Sequence, residues 1–231
     1  MPLRIWMFFC VLSGIGRFGL TQNLEIFCDT NRFEIKHYED SLTYYQLKFA
    51  ENHHLKTRDK KLQLAYYVAL THYPELYDEN ITMRKKKIST TMQAQPKWHF
   101  IFKNKKNREY IVLVNSSYHN GIHYSDLSFN SLVGWIGHEL AHIYDYSYKD
   151  NPSMVGFIAR YVFNKKQKKQ TERKADKETV KHGLGVALLD GVKFFHRKKE
   201  IPASYRKRKK DYYLSKEEII AEINALCYEH E

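Results

Sequence analysis

The chain has 231 residues, 43% hydrophobic and 15% aromatic, and its 18 Tyr and 13 Phe exclude an intrinsically disordered chain despite 28% charged residues. This length suits one globular domain with a substantial core, and no internal repeat is present. The formal charge of +12 is gathered in runs, at Arg84 to Lys87, Lys103 to Arg108, Lys165 to Lys169, Arg197 to Lys199 and Arg206 to Lys210. Such runs suit solvated surface or peripheral contact with anionic membrane, and with no nucleic-acid motif beside them no specific nucleic-acid partner is expected.

At the N-terminus, Met1 to Arg4 is a short basic start, Ile5 to Gly16 is apolar, and Arg17 interrupts it before polar residues begin near Thr21. A membrane span needs about 20 apolar residues, so this shorter run reads as a signal-peptide core. The expected organisation is a signal peptide at 1–21 and a single domain at 22–231, exported to a periplasmic or extracellular location. An uncleaved N-terminal anchor and a buried first helix are the alternatives. Removal of the leader takes Cys10 with it and leaves Cys28 and Cys227, which in an oxidising compartment can pair in a disulfide tying the new N-terminus to the last helix.

Asp59 to Leu76 carries a helical pattern through Leu62, Leu64, Tyr67, Val68 and Leu70, broken at Pro74. Ile81 to Ile88 is a basic strand-like run. Trp98 to Phe102 and Glu109 to Val114 flank the polar segment Lys103 to Arg108, which predicts a β-hairpin with a basic loop.

The next helix holds the chain's most specific pattern, His138-Glu139-Leu140-Ala141-His142. With about 3.6 residues per turn, positions four apart share a face, so both imidazoles can point at one ion while Glu139 sits one step round. Leu132, Val133, Ile136, Leu140 and Ile143 recur at helical spacing and bury the opposite side, and Ser128 or Ser131 is placed to cap the start. After a helical segment at Ser153 to Asn164, Glu172 and Asp176 lie four apart in a stretch without Gly or Pro, 30 residues beyond His142. One carboxylate can join the histidines on a metal; the other can hold an imidazole by its second N–H, a role that Asp176 fits toward His138. Surrounding lysines fit a solvated, salt-bridged face equally well. The Glu172 helix ends near Gly183, another follows from about Val186 to Lys198, and Ser215 with Glu218 forms a capping box for a last helix reaching about Cys227. The fold class is α+β, mainly helical, with a small antiparallel sheet before the metal-site helix.

H-E-L-A-H followed by E-R-K-A-D resembles the gluzincin metallopeptidases, in the form found in the HtpX-like and ImmA-like branches, over roughly residues 98 to 190. The resemblance implies a zincin-like domain holding one Zn2+ ion on His138, His142 and Glu172. Glu139 would be the general base for peptide-bond hydrolysis, and Asp176 would orient a ligand histidine. It also implies a strand running antiparallel to bound peptide, for which Tyr110 to Asn115 is the candidate. An oxyanion donor is required too, and His182, Tyr205 and Tyr212 qualify on residue type alone. The expected activity is that of a zinc-dependent peptidase acting on peptides or proteins. Two alternatives from other classes are a non-catalytic zinc-binding module of peptidase-like fold and a basic protein that associates with anionic membrane.

Overall fold

The computed structural model describes residues 32–228. The segment 1–21 expected to be a signal peptide, Cys10 and Cys28 lie outside them. Helix α1 (Leu42–Lys48) precedes strand β1 (His53–Lys56) and helix α2 (Lys60–Thr71). The Asp59 side chain accepts from the Leu62 amide at 3.1 Å and so starts α2, whose residues from Leu64 to Leu70 are all buried. Pro74 then opens a 3-10 turn, at the break read from the sequence.

Strands β2 (Asn80–Lys86), β3 (Met92–Pro96) and β4 (Glu109–Asn115) complete a four-stranded sheet of order β1-β2-β4-β3. β1 and β2 are parallel, which requires a crossover, and α2 supplies it. β2 and β4 are also parallel, so the expected antiparallel arrangement is confined to β3 and β4. Side chains alternate between the two faces of the sheet: Ile81, Met83, Tyr110, Val112 and Val114 are fully buried in the main core with α2 and the helix that carries His138.

The hairpin predicted from Trp98 to Phe102 does not form. That segment is a 3-10 turn, and the antiparallel partner of β4 is Met92–Pro96. Burial and charge explain the change: only Phe100 of the five residues is buried, and the Glu109 carboxylate accepts from Lys97, His99 and Lys103, a gathering that a turn makes possible and an extended strand does not. Tyr110 to Asn115 forms most of β4, but β4 is flanked on both sides, so its backbone groups are already paired. The edge strands of the sheet among the described residues are β1 and β3.

Helix α3 (Phe129–Ser147) lies across the sheet. Ser128 caps it by accepting from the Ser131 amide at 3.0 Å, and Leu132, Val133, Ile136, Leu140 and Ile143 are completely buried, as their spacing predicts. Then come α4 (Asn151–Phe163), α5 (Lys165–Thr179), α6 (Gly185–Arg197), α7 (Ala203–Tyr212) and α8 (Lys216–Tyr228). α3 crosses α6 at Gly134, where an added Cβ would lie 2.3 Å from the Ala187 backbone, so glycine permits the contact. A wide turn at Val180–Leu184, with Gly183 at φ +73°, redirects the chain from α5 into α6. The capping box at α8 is present: the Ser215 amide donates to Glu218 at 2.8 Å, and the Glu218 amide donates to Ser215 Oγ at 3.2 Å. α6 and α8 enclose a second apolar core around Leu188, Ile219, Ile220 and Ile223. Cys227 is disulfide-bonded. Among the described residues no helix is long and apolar enough to cross a membrane. The α+β class expected from the sequence, with a small sheet ahead of a mainly helical remainder, is the architecture observed.

Candidate metal centre

α3 presents His138, Glu139 and His142, and α5 presents Glu172 and Asp176, at the floor of one cleft. All five side chains are buried. His138 Nε2 lies 3.1 Å from His142 Nε2 and 3.3 Å from Glu172 Oε2, and His142 Nε2 lies 3.6 Å from that same oxygen. Three donor atoms from two helices therefore converge on one point and can hold a metal ion. The i, i+4 geometry of each helix accounts for this: His138 and His142 share one face of α3, Glu172 and Asp176 one face of α5, and the two faces meet.

Asp176 stands behind the triangle. Its Oδ1 is 2.8 Å from His138 Nδ1, and its Oδ2 accepts from the Leu214 amide at 2.8 Å. A neutral His138 accordingly carries its proton on Nδ1, leaving the Nε2 lone pair aimed at the metal position. Glu172 is fixed from its other oxygen, which accepts from the Tyr161 hydroxyl, and Tyr213 lies close enough for the two groups to interact electrostatically. Tyr146 stacks on His142 with ring centroids 6.0 Å apart.

Without a cation, the two acids shift their neighbours' proton affinities. Burial opposes a charged His138, but the Asp176 and Glu172 carboxylates outweigh it and raise its pKa to about 10. Burial alone would raise the Glu172 pKa, yet its hydrogen bonds and attraction to His138 and His142 hold it well below the usual carboxylate range. Burial raises the Glu139 pKa, with the two imidazoles pulling the other way. The site is thus one in which a compact negative cage is neutralised by protons that a metal can replace.

The cleft above this floor has a volume of about 1040 Å³. One wall is β3, from Met92 to Pro96; another is α4, through Phe157, Ile158 and Tyr161; a third is formed by Tyr205, Lys209, Tyr213 and Leu214. The candidate donors named from residue type fare differently. His182 stacks on Tyr73 at 4.1 Å, donates from Nδ1 to the Glu178 carbonyl 2.7 Å away, and does not line the cleft. Tyr212 is also outside the lining, and Tyr205 packs at the wall against Ile122 and Phe195. The hydroxyls beside Glu172 belong to Tyr161 and Tyr213, which sequence reasoning missed. Tyr161 lies four positions beyond Phe157 on the inner face of α4, a spacing that carried the signal.

No protein-family model, curated protein or solved structure matches this chain.

Proposed function

We propose that this chain is a zinc-dependent peptidase. The observation that carries the reading is the triangle of His138, His142 and Glu172 with a fourth side open to the cleft. A tetrahedral ion about 2.0 to 2.1 Å from each ligand atom separates those atoms by roughly 3.3 Å. The spacings here are 3.1, 3.3 and 3.6 Å, and two imidazoles with one carboxylate are a donor set that zinc favours at a hydrolytic site.

When bound, zinc supplies a Lewis acid and brings the pKa of a water in its open position down to roughly 7. Glu139 adjoins the ligand histidines on the same helix and lines the cleft, placing a carboxylate to take a proton from the attacking water and deliver it to the leaving amine. Asp176 fixes the His138 ring. Tyr161 and Tyr213 place two hydroxyls beside Glu172, where one can turn to donate to the developing oxyanion. β3 offers a free edge along the same cleft, so an extended peptide can add to the sheet as a further strand with its scissile bond over the floor. A disulfide at Cys227 accords with an exported protein.

The test is hydrolysis of an unstructured protein such as casein, with metal content measured in parallel. Wild type should carry one zinc and cleave casein, and a chelator should stop cleavage. Glu139→Gln should keep its zinc and lose at least about a hundredfold in rate, the scale of a general base. A Glu139→Gln protein of undiminished rate contradicts the assignment, and zinc bound without turnover in the wild type favours the non-catalytic module.

A further inference from the structure

α4 is apolar on two sides, although it lies at the surface. Met154 and Phe157 are buried, and Ile158 and Tyr161 face the cleft. On the outside, Val155, Ala159, Val162 and Phe163 fall at i, i+4, i+7 and i+8, a single stripe, and all four are exposed, Phe163 by 87%. The helix holds one charged residue, Arg160. Next to it, the turn at Trp98–Phe102 packs on α4, with Asn151 Nδ2 donating to the Lys103 carbonyl at 2.8 Å. Trp98 and Phe102 are each 78% exposed, with rings 6.5 Å apart. Trp98 and Val162 line the cleft while facing solvent, which makes them its lips. Single exposed apolar side chains are ordinary; a contiguous set on adjoining elements marks a contact surface.

Cations frame this set. Lys105 and Lys106 follow the Trp98 turn, and Lys165, Lys166 and Lys169 follow Phe163 at the start of α5; all are exposed. Their neighbours Lys97 and Lys103 are tied to Glu109, whereas these five form no ion pair among the described residues. A second copy of the chain would bring like charges together, from a protein whose formal charge is already +12. An apolar surface ringed by lysines complements a layer that is hydrocarbon within and anionic at its surface.

We propose that the α4 rim is a docking surface for an anionic lipid bilayer. α4 lies in the plane of the interface, Trp98, Phe102 and Phe163 enter the boundary between headgroups and acyl chains, and the lysines meet the anionic headgroups. The cleft mouth then opens against the membrane, so the polypeptides presented to it are those at the bilayer surface. Docking is independent of the metal.

Sedimentation of the full chain with vesicles tests this, using phosphatidylcholine vesicles with and without about one third phosphatidylglycerol. The expected result is binding to the anionic vesicles, weak binding to pure phosphatidylcholine, loss in about 0.5 M salt and no effect of a chelator. The Trp98→Ser/Phe102→Ser/Phe163→Ser variant removes only exposed side chains and should keep the wild-type Tm while binding about tenfold more weakly or worse. Lys165→Glu/Lys166→Glu/Lys169→Glu should do the same. Equal binding to both vesicle types overturns the proposal. So does binding that survives the triple serine variant, since it then comes from another segment such as the apolar residues 5–16. Concentration-dependent dimers abolished by the serine variant, without vesicle binding, assign the surface to a second copy and overturn it as well.

Discussion

α3 gives three residues to the candidate metal centre and α5 two, yet the two helices are held in place by different forces. α3 is buried along most of its length and wedged between the sheet with α2 on one side and α6 on the other, so His138 and His142 are fixed by packing. α5, reading KKQKKQTERKADKET, buries only Thr171, Glu172, Ala175, Asp176 and Thr179. Its remaining ties are polar: Arg173 to Glu218 at 2.5 Å, Lys177 to Glu222 and Lys174 to Asp145 at 2.5 Å. Exposed ion pairs of this kind contribute at most about 1 kcal/mol each. The lesson is that half of the site is built by the core and half by the site's own polar contacts, so metal binding and the docking of α5 should be coupled.

The largest expected effect breaks the rigid half. Gly134→Val places a side chain into the Ala187 backbone, and overpacking of this kind costs about 3 kcal/mol, read as a lower Tm with or without metal. A wild-type Tm would mean that α3 and α6 are not in close contact. The polar half is sharpened by pH. The metal-free His138 pKa of about 10 lies above its ordinary value of 6.5, so the stability it contributes is fully present below pH 6.5 and is lost as pH rises through 10. Chelated protein should therefore lose Tm across that window, with α5 amides losing hydrogen-exchange protection before those of α3; a flat profile contradicts the coupling. Asp176→Asn removes the charge that orients His138, and zinc affinity should fall about 10- to 100-fold by competition titration with an indicator. Unchanged affinity would reduce Asp176 to a tie for Leu214. Smallest of all, Tyr161→Phe deletes one hydrogen bond to Glu172 and should weaken zinc binding about fivefold, corresponding to about 1 kcal/mol. An unaffected Tyr161→Phe protein would mean that this hydrogen bond does not hold Glu172 in place for the metal.

The same division governs what could be read from the residues. His138, Glu139, His142, Glu172 and Asp176 were legible because each motif lies within one turn of a helix, where spacing alone sets the face. The Ser215 start was legible, and Ser128 was one of the two candidates for the start of α3, because capping is local chemistry. β3 was not: Met92-Gln93-Ala94-Gln95-Pro96 is short and only half apolar, and it becomes a strand through pairing with β4, a partner its own composition does not announce. The Trp98 to Phe102 run, more apolar, looked like the better strand and is a turn because Glu109 gathers three hydrogen-bond donors there, from Lys97, His99 and Lys103. Tyr161 and Tyr213 reach Glu172 from α4 and from the turn before α8, contacts that only tertiary packing specifies.

The central claim is that a carboxylate on the polar helix α5 completes a metal site begun on the packed helix α3. Its most direct test is zinc titration of the metal-free wild type beside Glu172→Gln, a change that keeps the shape and removes the charge. The account predicts one tight equivalent for wild type and binding weaker by at least about a hundredfold for the variant, as expected on loss of a ligand with its charge. Equal affinity and stoichiometry in the two proteins would contradict it.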